Sequence, residues 1–330
     1  MVTKPILKFK MRFSFVFIFA FLYAGAACTQ QKGDSLSKKE DGKNSLHFMV
    51  FGDWGRNGED NQKETAQEMG IVAKSFKPAF IVSTGDNFYP NGVRSTRDHN
   101  WLASYEDIYT AHSLQTDWYV VLGNHDYKGN VQAEIDYSDI DRRWNMPARY
   151  YSKTVFIGGD SSQGVLLIFI DSTPCLSEYY ENTEHNVRGQ DTAAQRQWLE
   201  KTLAEAPAYI KWKFVFGHHP LWTGGGRMKA PEGIEMRKLF RPIFEKYRVD
   251  AYFSGHEHSL QYIKPAGYTS YFVSGAGSET TPVIVHPDGG VFAKSENGFM
   301  NIGLTTDKME VSVIGYTGEI LYNTVIQHKE

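Results

Sequence analysis

Seven residues whose side chains can bind metals directly follow apolar segments of the sequence. The segments "VFGDWG", "IVSTGDNFY" and "VVLGNHD" end in carboxylates, a phenol and an amide, and "FVFGHHP" and "YFSGHEH" end in imidazoles. Such oxygen and nitrogen ligands suit iron, manganese or zinc, and the lack of thiolates argues against an iron–sulfur cluster. The candidate ligands are Asp53, Asp86, Tyr89, Asn124, His218, His256 and His258.

Each motif also has an ordinary structural explanation. Gly-Asp after a strand is common turn chemistry, Asn124 could cap a helix, and His218 with His219 could be a buried, hydrogen-bonded pair. His256 and His258 are a stronger signal, because modest backbone curvature points both at adjacent sites. Five strand ends that all carry such ligands are difficult to attribute to turns. Together they indicate a metal centre.

The number of ligands indicates how many ions that centre holds. Seven protein ligands exceed the needs of one tetrahedral zinc site. They suit two ions that share one carboxylate and keep open positions for water and substrate. Two-metal sites of this kind stabilise both the attacking and the leaving oxygen of a phosphoryl displacement. The sequence therefore predicts a dinuclear hydrolytic site.

The elements that must position these residues are typical of an α/β domain. Runs that resemble buried strands end in glycine and polar residues, and alternating strands and helices favour parallel strands. Functional residues of open α/β sheets collect beyond the carboxyl ends of the strands, where the candidate ligands fall. Further strands near the end of the chain predict a second sheet or a mixed region. Helical periodicity is found over Gln62–Phe76, Asn100–Ala111, Thr192–Ala206 and Glu232–Tyr247.

The first 27 residues are typical of an export signal. Basic residues precede the apolar run Phe13–Ala24, and the small residues 25–27 lead to Cys28. We expect cleavage before Cys28 and a lipid on its thiol, as in a bacterial-type lipoprotein, with plain secretion as the alternative. The expected location is periplasmic or cell-surface. Residues 28–45 predict a flexible polar tether, and residues 46–330 a single catalytic domain.

Charge and cysteine content exclude some classes of function. The formal charge of the 330-residue chain is −3, and removal of residues 1–27, with four basic and no acidic residues, changes it to −7. The sequence has no surplus of basic residues that would indicate nucleic-acid binding. We expect contact with a membrane only through the lipid on Cys28. With Cys28 lipidated, Cys175 is the only thiol left, which excludes an intramolecular disulfide. We expect a monomer.

The motifs "GDWG", "GDNFY", "GNHD", "VFGH" and "GHEH", in that order, resemble the five metal-binding blocks of the calcineurin-like metallophosphoesterases. Within these, the chain resembles the purple acid phosphatases of the short, tartrate-resistant type, from about His47 to Ile326. The superfamily has a histidine at the position of Gly55, whereas purple acid phosphatases lack it and use a tyrosine, here Tyr89. The resemblance implies a four-layer α/β/β/α sandwich of two mixed sheets flanked by helices.

The resemblance also implies a metal assignment and a reaction. The ferric position would be formed by Asp53, Asp86, Tyr89 and His258, with Asp86 as the bridge. The divalent position would hold Fe(II), Zn(II) or Mn(II). Its ligands would be Asp86, Asn124, His218 and His256. The implied activity is that of an acid phosphatase, in which a metal-activated hydroxide hydrolyses phosphate monoesters.

Three further residues are candidates for contact with the substrate. His125 matches the histidine of the family that contacts substrate and can protonate the leaving group. His219 directly follows the candidate ligand His218, and plain packing is the alternative role for it. Arg227 stands where the family has a second substrate-side histidine, and the alternative is that it lies in an exposed loop. Cys175 lies in the loop that carries a disulfide in the family, but its partner cysteine is absent.

Two other functions remain open from the sequence. The same metal centre serves phosphodiesterases and nucleotide hydrolases across the superfamily. A non-catalytic, metal-stabilised surface binding protein is the non-enzyme alternative, although all seven ligands and His125 are present. The expected partners are small phosphorylated substrates, with phosphoproteins and nucleotides included.

Overall fold

Two seven-stranded sheets contain all the strands of Met1 and residues 44–329, the part of the chain that the computed structural model describes. The predicted signal peptide beyond Met1, Cys28 and the predicted tether up to residue 43 lie outside the described residues. Residues 44–329 belong to one compact unit. The strands are β1 Leu46–Phe51, β2 Phe80–Ser83, β3 Asp117–Val120, β4 Trp144–Asn145, β5 Tyr151–Phe156, β6 Gly164–Phe169, β7 Ile210–Phe216, β8 Ala251–Ser254, β9 Leu260–Ile263, β10 Ser270–Ser274, β11 Gly290–Lys294, β12 Gly298–Leu304, β13 Lys308–Gly315 and β14 Ile320–Gln327.

Each sheet combines parallel and antiparallel strands. The first sheet has the order β14-β13-β12-β1-β2-β3-β4, and β1 to β4 run parallel. The second has the order β11-β9-β10-β8-β7-β6-β5, with parallel pairing from β6 through β7 and β8 to β10. The late strands therefore do not form a sheet of their own. β12 to β14 extend the first sheet antiparallel to β1, and β9 to β11 complete the second.

The α-helices of the described residues are α1 Gln62–Phe76, α2 Val131–Asp136, α3 Glu178–Glu181, α4 Thr192–Ala204 and α5 Pro231–Lys246. Three of the four predicted helices, α1, α4 and α5, are confirmed to within two residues at each end. None of the helices in this part of the chain is long and apolar enough to cross a membrane.

The predicted helix over Asn100–Ala111 is wrong, because the segment forms only a π-helical turn over Trp101–Glu106. The backbone carbonyl of Ser104 accepts a hydrogen bond from the Gln62 side chain at 2.7 Å, while the Ile108 amide donates to the Tyr105 carbonyl instead. This side-chain contact competes with the α-helical ladder. A periodicity of apolar residues cannot reveal such a competitor from a distant segment.

Aromatic side chains fill the space between the two sheets. The Phe48 ring of β1 stacks on Phe80 at 4.9 Å and lies within 6.5 Å of Phe214, Phe216 and Phe253 of the second sheet. Alternate residues of a strand face opposite sides, so the outer faces carry other side chains. On the second sheet, Tyr252 of β8 packs against α5, and on the first, α1 contacts β12. The predicted four-layer sandwich is confirmed.

Candidate metal centre

The candidate ligands gather where the carboxyl ends of the two sheets meet. Asp53 follows β1, Asp86 follows β2, and Asn124 lies beyond β3, all in the first sheet. The imidazoles of His218, His256 and His258 follow β7 and β8 of the second sheet. Neither sheet alone contains the site. Oxygen ligands come from the first sheet, and nitrogen ligands come from the second.

The hydroxyl of Tyr89 is the centre of one group of ligand atoms. It lies 3.1 Å from Asp53 Oδ1, 2.9 Å from Asp86 Oδ2 and 3.1 Å from His258 Nε2. His258 Nε2 is also 3.5 Å from Asp53 Oδ1. These are the four residues of the implied ferric position, and the fold brings their donor atoms into one cluster.

The Nε2 atom of His218 is the centre of a second group. It lies 3.2 Å from Asn124 Oδ1, 3.1 Å from His256 Nδ1 and 3.4 Å from Asp86 Oδ2. Asp86 Oδ2 thus belongs to both groups. A single carboxylate oxygen lies between them, as a bridging ligand requires.

The spacing of these atoms fits two bound cations. Ligand atoms bonded at roughly 2.1 Å to one octahedral ion lie about 3 Å apart. The observed separations within the two groups are 2.9–3.5 Å. Apart from His258, whose side chain is 14% exposed, the donor residues are at least nine-tenths buried, which gives their interactions with a cation a low-dielectric setting.

Three of the candidate ligands have left-handed backbone conformations. The φ angles are 59° at Asp53, 48° at Asp86 and 68° at His256. Non-glycine residues in this region cost on the order of 1 kcal/mol or more, and such strain collects at functional sites. Here the sharp turn directly after each strand directs the side chain back toward the junction of the sheets.

Gly55 explains why a tyrosine rather than a histidine serves the first group. A Cβ atom on Gly55 would lie 1.8 Å from the backbone oxygen of Asn87. The Tyr89 amide also donates to the Gly55 carbonyl at 2.9 Å. The two loops are therefore too close for any side chain at position 55. Tyr89 enters from the adjacent loop and provides the donor atom.

Backbone amides hold the two carboxylates in place. Asp86 Oδ1 accepts a hydrogen bond from the His125 amide at 2.8 Å, which leaves Oδ2 for the shared position. The Asp53 carboxylate accepts from the His256 amide, at 3.1 Å and 2.9 Å. The second contact joins the end of the first sheet to the end of the second.

Asp126 supports the site but was not singled out from the sequence. Its buried carboxylate accepts hydrogen bonds from the amides of Asn87 and Phe88 at 2.9 Å and 3.1 Å and from Gly123 at 2.8 Å. It thereby fixes the loop that carries Tyr89. Burial and the nearby charge of Asp86 raise the pKa of Asp126 to about 8. The sequence signal that could have identified Asp126 was its position at the end of the motif "GNHD".

Glu232 was also missed, because it lies on α5 and outside every motif. Its Oε2 lies 3.2 Å from His256 Nε2, on the side of the ring opposite the ligand atom Nδ1.

Arg227 lies beside this pair, with Nε 3.3 Å from Glu232 Oε1 and its amide donating to Glu257 Oε1 at 2.8 Å. Arg227 is thus held at the rim of the site rather than in a free loop, with 45% of its side chain exposed.

The two other predicted substrate contacts differ in their surroundings. His125 donates from Nδ1 to the Pro90 carbonyl at 2.6 Å, which leaves Nε2 available, and its ring lies 4.4 Å from that of Tyr89. His219 is fully buried, and its ring nitrogens lie 2.8 Å from both the Ser172 and the Tyr179 hydroxyls. In this structure His219 has no nitrogen free to contact a substrate, and it instead packs against His256.

The two imidazoles of the group around His218 differ in their tendency to bind a proton. Burial lowers the pKa of His218, but the charges of Asp86 and Asp53 outweigh it and raise the pKa to about 9. Burial and the nearby positive charge of Arg227 lower the pKa of His256 well below its ordinary value. A cation that binds both nitrogens therefore has to displace a proton from His218, because only neutral imidazole is a ligand.

Residues 46–260 match the family described as calcineurin-like phosphoesterase. The chain therefore belongs to the calcineurin-like phosphoesterases, and within them to the purple acid phosphatases.

The relatives that place it there cover nearly the whole chain. Purple acid phosphatase 7 of Arabidopsis thaliana is 34% identical over 303 residues, which are 89% of this chain and 89% of that relative. Tartrate-resistant acid phosphatase type 5 of Homo sapiens is 32% identical over 302 residues, 85% of this chain and 90% of the human protein.

Solved structures share the fold. GAP50, described as the anchor in the inner membrane complex of Plasmodium, has a TM-score of 0.76 at 23% identity, covering 87% of this chain and 90% of its own. The purple acid phosphatase PPD1 of yellow lupin (Lupinus luteus) has a TM-score of 0.62 at 16% identity, covering 86% of this chain and 54% of its own. At these identities, the likeness concerns the fold alone.

The closeness of Gly55 to Asn87 predicts a specific intolerance to substitution. Gly55→Ala should lower the free energy of unfolding by about 1–3 kcal/mol, because backbone atoms must move to admit the methyl group. It should also reduce bound metal, since the displaced loop carries Tyr89. Gly226→Ala is the matched control: no atom lies within 4 Å of that methyl, and an effect within about 0.5 kcal/mol is expected. Denaturant unfolding and metal analysis measure both. Equal behaviour of the two variants would contradict the steric explanation.

The contact between Glu232 and His256 predicts a selective loss of metal from the group around His218. A carboxylate that accepts a hydrogen bond from the second ring nitrogen of a metal-binding histidine typically raises the metal affinity by roughly 10–100-fold, which corresponds to about 1–3 kcal/mol. Glu232→Gln should weaken metal binding at the group around His218 by roughly that factor. The group around Tyr89 should keep its ion. Competition with a chelator measures the affinity, and Glu205→Gln, at an exposed residue that follows α4, serves as the control. Unchanged affinity in Glu232→Gln would refute the role.

Proposed function

We propose that this protein is an acid phosphatase that hydrolyses phosphate monoesters at a dinuclear centre. A ferric ion would occupy the group around Tyr89, and Fe(II), Zn(II) or Mn(II) the group around His218. The observation that carries the proposal is the Tyr89 hydroxyl, which lies within 3.1 Å of Asp53, Asp86 and His258. Phenolate is a ligand suited to a trivalent cation, which deprotonates the phenol. When bound, the two ions supply positive charge that attracts phosphate oxygens and acidifies a water molecule.

The protein's own residues would set the geometry of the reaction. Asp86 Oδ2 fixes the distance between the two positions, because it belongs to both groups of ligand atoms. The amides of His125 and His256 keep the two carboxylates from rotating. A phosphate drawn to this junction meets donor groups that are already in place, so little reorganisation is needed during the reaction.

His125 is suited to protonate the leaving oxygen. The Pro90 carbonyl accepts the Nδ1 proton at 2.6 Å, and this fixes the orientation of the ring and leaves Nε2 for the substrate. When Nε2 carries a proton, the ring would donate it to the departing alkoxide. Its backbone amide, not its side chain, contacts Asp86. The side chain is therefore separable from the ligand shell by mutation.

A groove beside Tyr89 has room for the organic part of a substrate. Its volume is ≈ 720 Å³, and its lining includes Asn91, Arg94, Lys128 and Glu184. Sites of roughly 300–1,000 Å³ accommodate ligands of nucleoside or short-peptide size. Both charge signs occur in the lining, which supports a range of phosphorylated substrates, phosphoproteins and nucleotides among them. Arg227, at the opposite rim, is a candidate second contact for anionic substrates.

The site of action is proposed from the N-terminal sequence. The basic segment, the apolar run Phe13–Ala24 and the small residues before Cys28 support export to the periplasm or cell surface. A lipid on Cys28 would hold the enzyme at the membrane through the tether of residues 28–45. We propose that the enzyme acts there as a monomer.

The proposal is tested by metal analysis, the visible spectrum and turnover of the purified protein. We expect two metals per chain, a visible absorption band from phenolate-to-ferric charge transfer, and faster hydrolysis of p-nitrophenyl phosphate than of its bis ester. Tyr89→Phe should lose the band while the fold persists, because only one hydroxyl is removed. Preference for the bis ester would instead support a phosphodiesterase. Full metal occupancy without turnover of either ester would support a non-catalytic binding protein.

The separable side chain of His125 predicts a substrate-dependent loss of rate. His125→Ala should keep both metals and lower kcat by roughly 10²-fold, the usual scale for a positioned acid. The loss should be smaller for p-nitrophenyl phosphate than for an alkyl phosphate, since a good leaving group needs less protonation. His112→Ala, at an exposed histidine far from the motif, is the control. Equal losses for both substrates would show that His125 binds phosphate rather than protonating the leaving group.

A further inference from the structure

Arg56 covers one face of the Tyr89 ring. The central carbon of its guanidinium lies 3.9 Å from the ring centroid, and 22% of the side chain is exposed. The backbone of Arg56 is fixed by two hydrogen bonds, to the Trp54 carbonyl at 2.8 Å and to Gln62 Oε1 at 3.1 Å. A permanent cation is therefore held against the one phenol among the candidate ligands.

Glu279 completes this arrangement. Its Oε2 lies 2.5 Å from Arg56 Nη2 and 3.6 Å from His258 Nδ1. His258 Nδ1 has no hydrogen-bond partner among the described residues, and the Glu279 carboxylate is close to it but beyond hydrogen-bond distance. One Arg–Glu pair thus contacts, from outside, two of the four residues of the Tyr89 group. Glu279 is about half exposed.

The position of Arg56 has a direct electrostatic consequence for Tyr89. The Tyr89 oxygen lies 3.1 Å from Asp53 Oδ1 and 2.9 Å from Asp86 Oδ2, and the Arg56 cation lies against its ring, 3.9 Å from the centroid. A cation over an aromatic face is attracted to the ring, and the attraction grows when the ring carries the charge of a phenolate. Arginine keeps its charge at every working pH, so this influence does not titrate.

We propose that Arg56 and Glu279 set the electronic properties of the iron position: the Arg56 cation stabilises Tyr89 as phenolate, and Glu279 limits that effect. Arg56 is a positioning residue in this role, because it contacts the ligand and not the substrate. The inference rests on the proposed iron–phenolate centre. It predicts a signature in the spectrum and in the reduction potential that a purely structural contact would not produce.

The signature follows from where the charge lies. The Arg56 cation lowers the energy of the filled phenolate orbital, from which the charge-transfer transition starts. Its removal should move the visible band to longer wavelength. Loss of a positive charge beside the iron also disfavours the added electron, which lowers the reduction potential of the ferric ion. Loss of the negative charge of Glu279 should raise that potential. The two substitutions are expected to act in opposite directions.

The experiment compares the iron-loaded wild type with Arg56→Met, Arg56→Lys and Glu279→Gln by visible spectroscopy and potentiometric titration. Arg56→Met should shift the band to longer wavelength and lower the potential, with iron content retained. Glu279→Gln should raise the potential. Arg56→Lys keeps the charge and should lie closer to the wild type than Arg56→Met does, which separates charge from packing. Arg142→Met, at an exposed arginine bonded to the Gln115 carbonyl, is the matched control and should show no change.

The outcomes separate this inference from the proposed function. A wild-type band that Arg56→Met leaves in place, with the potential unchanged, overturns the inference and leaves the iron–phenolate centre intact. Shifts of the same sign in Arg56→Met and Glu279→Gln also overturn it, because a charge effect must change sign with the charge. A wild type that binds iron but shows no band overturns the phenolate assignment and this inference with it.

Discussion

The buried contact between acids of one sheet and imidazoles of the other is the interaction on which this site depends. Asp53 and Asp86 extend from the first sheet; from the second, the His256 backbone amide reaches Asp53 and the His218 imidazole reaches Asp86. Buried carboxylates are costly unless charge and hydrogen bonds compensate them. Although burial lowers the pKa of His218, the charges of Asp86 and Asp53 raise it to about 9, so negative charge dominates at this junction. Two cations would supply it, so metal binding and the junction of the sheets stabilise each other.

The surroundings of the two metal positions differ in polarity. On one side a cation, Arg56, faces the candidate ligand Tyr89, and on the other a carboxylate, Glu232, faces the candidate ligand His256. Arg56 is itself paired with Glu279, and Glu232 is paired with Arg227. The difference has a chemical reason, since a phenol must lose a proton to become a ligand and a cation favours that loss. An imidazole is already a ligand when neutral, and a carboxylate on its far nitrogen makes it a stronger one.

The fold itself does not select this chemistry. The same sandwich occurs in a Plasmodium protein described as an anchor and in a plant purple acid phosphatase. Function is a property of the side chains placed on a fold, and here those side chains follow strands. The loops around them are held by backbone contacts so close that glycine is required, as at Gly55. Such contacts leave few ways to place a donor atom, and the approach of Tyr89 from the next loop is one of them.

The sequence predicted three of the helices and the strand ends that carry the candidate ligands, because short-range periodicity and glycine-acid turns are local properties. It did not determine which sheet each strand joins, and so could not show that the site lies between two sheets. The π-helical turn at Trp101–Glu106 and the roles of Glu232 and Arg56 were likewise beyond it. Each depends on a contact between residues distant in the chain. Only the tertiary structure decides such contacts, because spacing along the sequence carries no record of what lies opposite a side chain in space.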